Sequence, residues 1–142
     1  MYDVSDPRSR LAQPSTPSHA GEGGFAASQF GRFYENQPQE SGPAERTWYT
    51  RGQNFVVAYS EARPGAVLAR ENQPDEYVVL VPDRETSITV EAGTESVKVP
   101  GYSLVFVPPG KSRVIVSAGG RIVRLITTQS KDIADKCENA DA

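Results

Sequence analysis

Histidine is almost missing from this chain. Its 142 residues include one, His19, together with one cysteine, one methionine and one tryptophan. A lone cysteine, Cys137, cannot close an internal disulfide. With so little imidazole, Ser60, Ser103 and Ser117 have nothing to activate them, which excludes a Ser-His-Asp arrangement. No apolar run approaches the roughly 18 residues of a membrane span. The opening residues, MYDVSDPRSR, lack the apolar core of a secretory signal. Basic charge is not in excess: 15 Lys and Arg stand against 18 Asp and Glu, a net of −3, which speaks against a nucleic-acid surface. No Gly-rich phosphate loop and no zinc spacing is present. These absences leave a soluble cytoplasmic protein as the expectation, with no nucleic acid and no membrane among its partners.

Hydrophobic residues make up 37% of the chain, low for a compact domain, so part of it adds little to a core. Residues 1–46 are that part. They form a Pro/Gly/Ser-rich N-terminal arm in which residues 13–24, QPSTPSHAGEGG, have no period and almost nothing to bury. Such a segment cannot offset its ordering entropy alone. Phe25, Phe30, Phe33 and Tyr34 then follow. Two readings stand side by side: a disordered arm, or one whose aromatics dock on a neighbouring subunit or on the domain's own sheet.

From Thr47 the pattern becomes short apolar runs bounded by turn residues. Strands are predicted at 47–50, 54–60, 66–70, 76–81, 87–91, 95–99, 102–107, 113–117 and 121–128. Residues 76–81, EYVVLV, are apolar on both faces and predict a central, doubly covered strand. Ile88 and Val90 point inward, as do Val97 and Val99, around a hairpin turn at Ala92-Gly93-Thr94. Ala118-Gly119-Gly120 predicts a second tight hairpin, into the last strand. Arg113, Ile115 and Ser117 share one face of their strand, Val114 and Val116 the other. No helical period appears across this body, so the class is all-β, a sandwich or barrel. Residues 129–142 form a short polar tail, able to make a short helix anchored almost only by Ile133. Cys137 in that tail reads as an inert, exposed thiol.

The body, residues 47–128, resembles the cupin superfamily, RmlC-like jelly rolls or double-stranded β-helix barrels. Gly65 opens the first cupin motif, Glu76 stands at its glutamate, and Asp83 falls where a glycine would close it. The second motif matches at Gly101-YSLVFV-Pro108-Pro109-Gly110, with one extra residue before the proline. The resemblance implies a metal held by three histidines and the glutamate. Counting along the motifs, those histidine positions hold Arg70, Asn72 and Arg113. A guanidinium is a permanent cation with no acceptor, and a carboxylate with an asparagine holds a hard cation only loosely. The expectation is a degenerate member with no metal and no cofactor.

The same register implies that Arg70, Asn72, Glu76, Tyr77 and Arg113 line the barrel interior as a candidate ligand site. Glu76 would pair with one or both arginines, and surplus positive charge would receive a small anionic ligand. Against this stands the plainer reading that Arg70 and Arg113 reach solvent, their stems covering apolar surface. Glu71, Asp75 and Glu76 read as a solvated turn rather than a hydrolytic carboxylate pair. The expected role is structural or ligand-binding, in a homodimer formed through an edge strand and the arm, or as half of a two-cupin protein. An isomerase or oxygenase with a non-standard site around Glu76 is the alternative.

Overall fold

A computed structural model describes residues 27–142. Ten strands and one short helix follow along this part of the chain. They are β1 (Glu40–Ser41), β2 (Glu45–Arg51), β3 (Phe55–Ala62), β4 (Val67–Gln73), β5 (Tyr77–Val81), β6 (Ser87–Ala92), β7 (Glu95–Val99), β8 (Ser103–Val107), β9 (Gly110–Ala118), β10 (Gly120–Thr127) and α1 (Lys131–Ala134). Every pairing is antiparallel. A six-stranded sheet runs β1-β2-β3-β10-β5-β8 and a four-stranded sheet runs β4-β9-β6-β7. From β3 onward the chain steps back and forth between the sheets, apart from the β6–β7 hairpin. That winding is the all-β double-stranded β-helix, or jelly roll.

Period-2 alternation puts the core between the sheets. Val56 and Ala58 of β3, Val79 and Val81 of β5, Ile88 and Val90 of β6, Val114 and Val116 of β9, and Ile122 and Ile126 of β10 are all buried there. The β6–β7 turn occurs as its sequence predicts: Ala92 pairs with Glu95, and Gly93 takes the left-handed φ of +60° that this tight turn needs. Gly101 answers a different demand. A Cβ there would run into the backbone carbonyls of Asp83 and Arg84, so two connections can cross only at a glycine.

Three expectations are corrected. Ala118-Gly119-Gly120 is not a hairpin: β9 pairs with β4 and β6, whereas β10 pairs with β3 and β5. The glycines carry the chain from one sheet to the other. A Cβ at Gly119 would stand 2.7 Å from the Ala62 carbonyl oxygen. Strand β5 is central but covered on one face only, because Leu80 on its outer face is exposed. Val97 shares a face with buried Val99 yet is half exposed, since β7 is an edge strand. The arm's Phe25 and the chain's His19 lie outside the described residues.

Candidate functional site

The five residues expected to share the interior are not brought together. Arg113 points outward and donates from Nε to Glu91 Oε1 at 2.9 Å, its register partner across β6 and β9. Glu76 and Asn72 are exposed. Arg70 turns to the barrel mouth, where it grips Asp132 at 2.8 and 3.0 Å and donates from Nε to Gln73 at 2.7 Å. Tyr77 alone is fully interior, its hydroxyl 2.7 Å from Ser112 Oγ on the opposite sheet. The expected Glu76 ion pair with Arg70 or Arg113 therefore does not form. The cause is a register slip, which flips every side chain to the other face. Apolar Val114 and Val116 claim the inside of β9, which sends Arg113 out and brings Ser112 in. On β5, Tyr77, Val79 and Val81 face inward, so Glu76 faces away. In β4 a bulge between Arg70 and Gln73 turns Gln73 inward and Asn72 outward.

A different arginine occupies the interior. Arg124 lies on β10 between Ile122 and Ile126, at the inward period of that strand, and is 2% exposed. Its register neighbours are Ala58 on β3 and Val79 on β5. Tyr49 on β2 lies beyond Ala58 in the same row. The small alanine leaves the phenol and the guanidinium room to approach each other. Arg124 Nε has no hydrogen-bond partner among the described residues. The signal was present in RIVRLITT, an arginine set within a stripe of isoleucines at strand spacing.

A short chain of polar groups leads outward from it. Tyr49 donates its hydroxyl to Glu40 at 2.7 Å, and Lys136 donates to the same carboxylate at 2.5 Å. Burial alone would raise the Glu40 pKa, but hydrogen bonds from Lys136 and Tyr49 outweigh it and hold the carboxyl below its usual value. The Tyr49 phenol is pushed well up, first by burial and against the pull of the nearby Arg124 charge. Both groups thus keep their ordinary neutral-pH charge, and neither is a poised acid or base.

The mouth above Arg124 is closed by the chain's own C-terminal segment. Ile133, Ala134 and Cys137 join the main core cluster. Ser130 accepts from Gln73 at 2.9 Å, and the Glu138 amide donates to the Tyr49 carbonyl. Asn139 bonds to the backbone of Arg51 in both directions. Cys137 is therefore not the exposed thiol expected: it is 6% exposed, and burial raises its pKa. Ile133 is not the segment's sole anchor either. At the far end of the barrel an open groove of about 530 Å³ includes Arg46, Glu61, Arg63 and Arg121. Its Arg46 and Arg121 are already held by Glu61 and Asp83, so it offers less unspent chemistry than the interior.

The metal that the cupin resemblance implies does not fit the interior donor set. Arg124 is a fixed cation there and Arg70 another at the mouth, the Gln73 amide oxygen already accepts from Arg70, and Tyr77 and Ser112 are bonded to each other. Among the described residues no group of three or more His, Cys, Asp and Glu side chains converges. No helix among them is long and apolar enough to cross a membrane.

No protein-family model and no curated protein matches the chain. Solved structures do. KdgF from Halomonas sp. is similar over 73% of this chain and 98% of its own, with a TM-score of 0.60 and 13% identity. An RmlC-like cupin from Shewanella frigidimarina is similar over 75% of this chain and 96% of its own, at a TM-score of 0.61 and 14% identity. Salicylate 1,2-dioxygenase from Pseudaminobacter salicylatoxidans matches 68% of this chain with 31% of its length, at a TM-score of 0.55 and 15% identity. At such identities the likeness concerns backbone alone, and it agrees with the winding of the two sheets described above: the chain has the RmlC-like cupin fold.

Proposed function

We propose that this domain binds rather than catalyses, taking a small carboxylate-bearing ligand onto Arg124. One observation carries the reading: a guanidinium almost wholly out of water, with Nε unpartnered, inside the barrel. A buried charge with an unmade hydrogen bond is costly, and a carboxylate is the group that fits a guanidinium edge in a bidentate fashion. Tyr49, whose proton goes to Glu40, stands in the same row as the guanidinium, and the Tyr77–Ser112 pair bridges the two sheets within the same interior. The C-terminal segment would have to lift for a ligand to enter, which implies slow association and slow release.

Substituting Arg124→Leu tests this. Replacing a buried, incompletely bonded ion by an apolar side chain is often stabilising by about 1–4 kcal/mol. Glu40 keeps Lys136 and Tyr49 as partners in the variant. The expected result is a ligand-free variant melting several degrees above the wild type. In the wild type, acetate, benzoate or succinate would raise the melting temperature, by about 2.7 kcal/mol in stability at 100 times the dissociation constant. The variant would show no such rise, and the uncharged amides of the same acids would act on neither protein. A wild type indifferent to every carboxylate, with Arg124→Leu destabilised by about 3 kcal/mol or more, would make Arg124 a structural strut and overturn the reading.

A further inference from the structure

The outer face of the six-stranded sheet has a character the ligand reading does not use. On β3, β10, β5 and β8 the outward positions are apolar in adjoining rows. Leu125 pairs with Val57 on one side and Val78 on the other, and Val78 pairs with Phe106. Leu80 pairs with Leu104 in the neighbouring row. Phe106 is 65% exposed and Leu104 54%, and Leu80 and Leu125 are exposed as well. No charged side chain stands among these six positions. On an antiparallel sheet with one solvated face, these positions are ordinarily polar.

The described part of the arm covers only the other end of this sheet. Phe33 stacks on Tyr59 with ring centroids 4.5 Å apart and tilts against Trp48 at 6.1 Å. The Trp48 indole donates to the Asn36 carbonyl at 2.9 Å. The described part of the arm thus docks on the domain's own sheet over β2 and β3, and among the described residues none of it lies over β10, β5 or β8.

We propose that this open face is the contact surface for a second copy of the chain, in a two-fold dimer packed sheet on sheet. Three features favour that occupant. Size is the first: two rows of outward positions about 6.8 Å apart, across four strands about 4.8 Å apart, span on the order of 250 Å². That is enough for the apolar centre of an interface burying about 800 Å² per partner, whose rim is polar. Chemistry is the second, since a face without charge offers nothing to an acidic or basic partner and is complementary to itself. The third is the edge. Among the described residues strand β8 is paired on one side only and reads SLVFV, with none of the charges that usually guard an edge, so the apolar face runs uninterrupted to the border of the sheet. This sheet face, rather than the arm, then carries self-association.

Sedimentation velocity and light scattering on the full chain, from about 1 to 100 µM, test the proposal. The wild type is expected to be a dimer, and Leu104→Asp with Phe106→Asp to raise its dissociation constant at least about 100-fold. Both positions are exposed in the protomer, so circular dichroism should show an unchanged β spectrum. Hydrogen exchange on the wild type provides a readout that needs no variant: β8 and β5 amides should gain protection as concentration rises. A dimer indifferent to the double substitution would place the interface elsewhere and overturn the proposal. A monomer at every concentration would do the same. So would a monomer that dimerises only after removal of residues 1–26, which would assign the face to that segment instead.

Discussion

Tyr77 and Ser112 show what a single interior hydroxyl does in this barrel. They come from opposite sheets, and their 2.7 Å hydrogen bond is a direct polar link across the core. Removing one partner strands the other where water does not reach. Tyr77→Phe is therefore expected to cost about 1–2 kcal/mol, while Tyr77→Phe combined with Ser112→Ala should cost less than the sum of the two single changes. Urea unfolding of the four proteins measures the coupling, and strict additivity would mean that the bond contributes nothing. Tyr77 was legible in the sequence because a tyrosine at the head of an apolar run is seldom left outside. Ser112 was not, because the motif register placed Arg113 there. Alternation alone had already set Arg113 opposite Val114 and Val116, and burial of two valines outweighs a motif counted with one residue to spare.

At the scale of elements, the strands were legible and the C-terminal segment was not. Strands announce themselves by apolar alternation closed by Pro, Gly and Asp, and eleven prolines and twelve glycines supply ample punctuation. A segment held by one isoleucine, an alanine, a thiol and several polar bonds has no period to read. Its attachment rests partly on two carboxylates. Asp132, hydrogen-bonded to Arg70, has a lowered pKa despite some desolvation, and Glu40, which holds Lys136, is lowered as well. A depressed carboxylate stabilises the folded form above its unfolded pKa of about 4, and that contribution is lost as pH falls through the lower folded value. Acid should therefore loosen residues 130–139 before the barrel, seen as amide exchange rising there first between about pH 4 and pH 2. At neutral pH, Asp132→Asn should mimic the effect modestly, speeding thiol labelling of Cys137 about 2- to 5-fold, because the carboxylate is largely exposed. Asp132→Asn with Glu40→Gln should do more. Labelling rates unchanged in both variants would show that the apolar contacts alone hold the segment down.

The molecule as a whole carries two single-copy reporters on different elements, linked through Asn36, which accepts from the Trp48 indole and donates to Glu138. Trp48 is the only tryptophan, buried where β2 meets the arm, tilted against the stacked rings of Phe33 and Tyr59. Cys137 is the only cysteine, buried in the cover over the mouth. The barrel's two sheets are linked strand to strand by the repeated crossing of the chain, so they should unfold together. The cover touches them from one end only, through three buried apolar side chains and a set of rim bonds. Its opening exposes roughly a tenth of the surface that global unfolding does, so its dependence on denaturant should be correspondingly shallow. In urea, Cys137 should then become reactive while Trp48 fluorescence is still native, and its labelling rate should climb gently before joining the steep global transition. The same opening would admit a ligand to Arg124, so a bound carboxylate should slow Cys137 labelling in the wild type and not in Arg124→Leu. If Cys137 and Trp48 report one coincident transition of equal steepness, the cover is an integral wall of the barrel, and the interior is reached only by unfolding it.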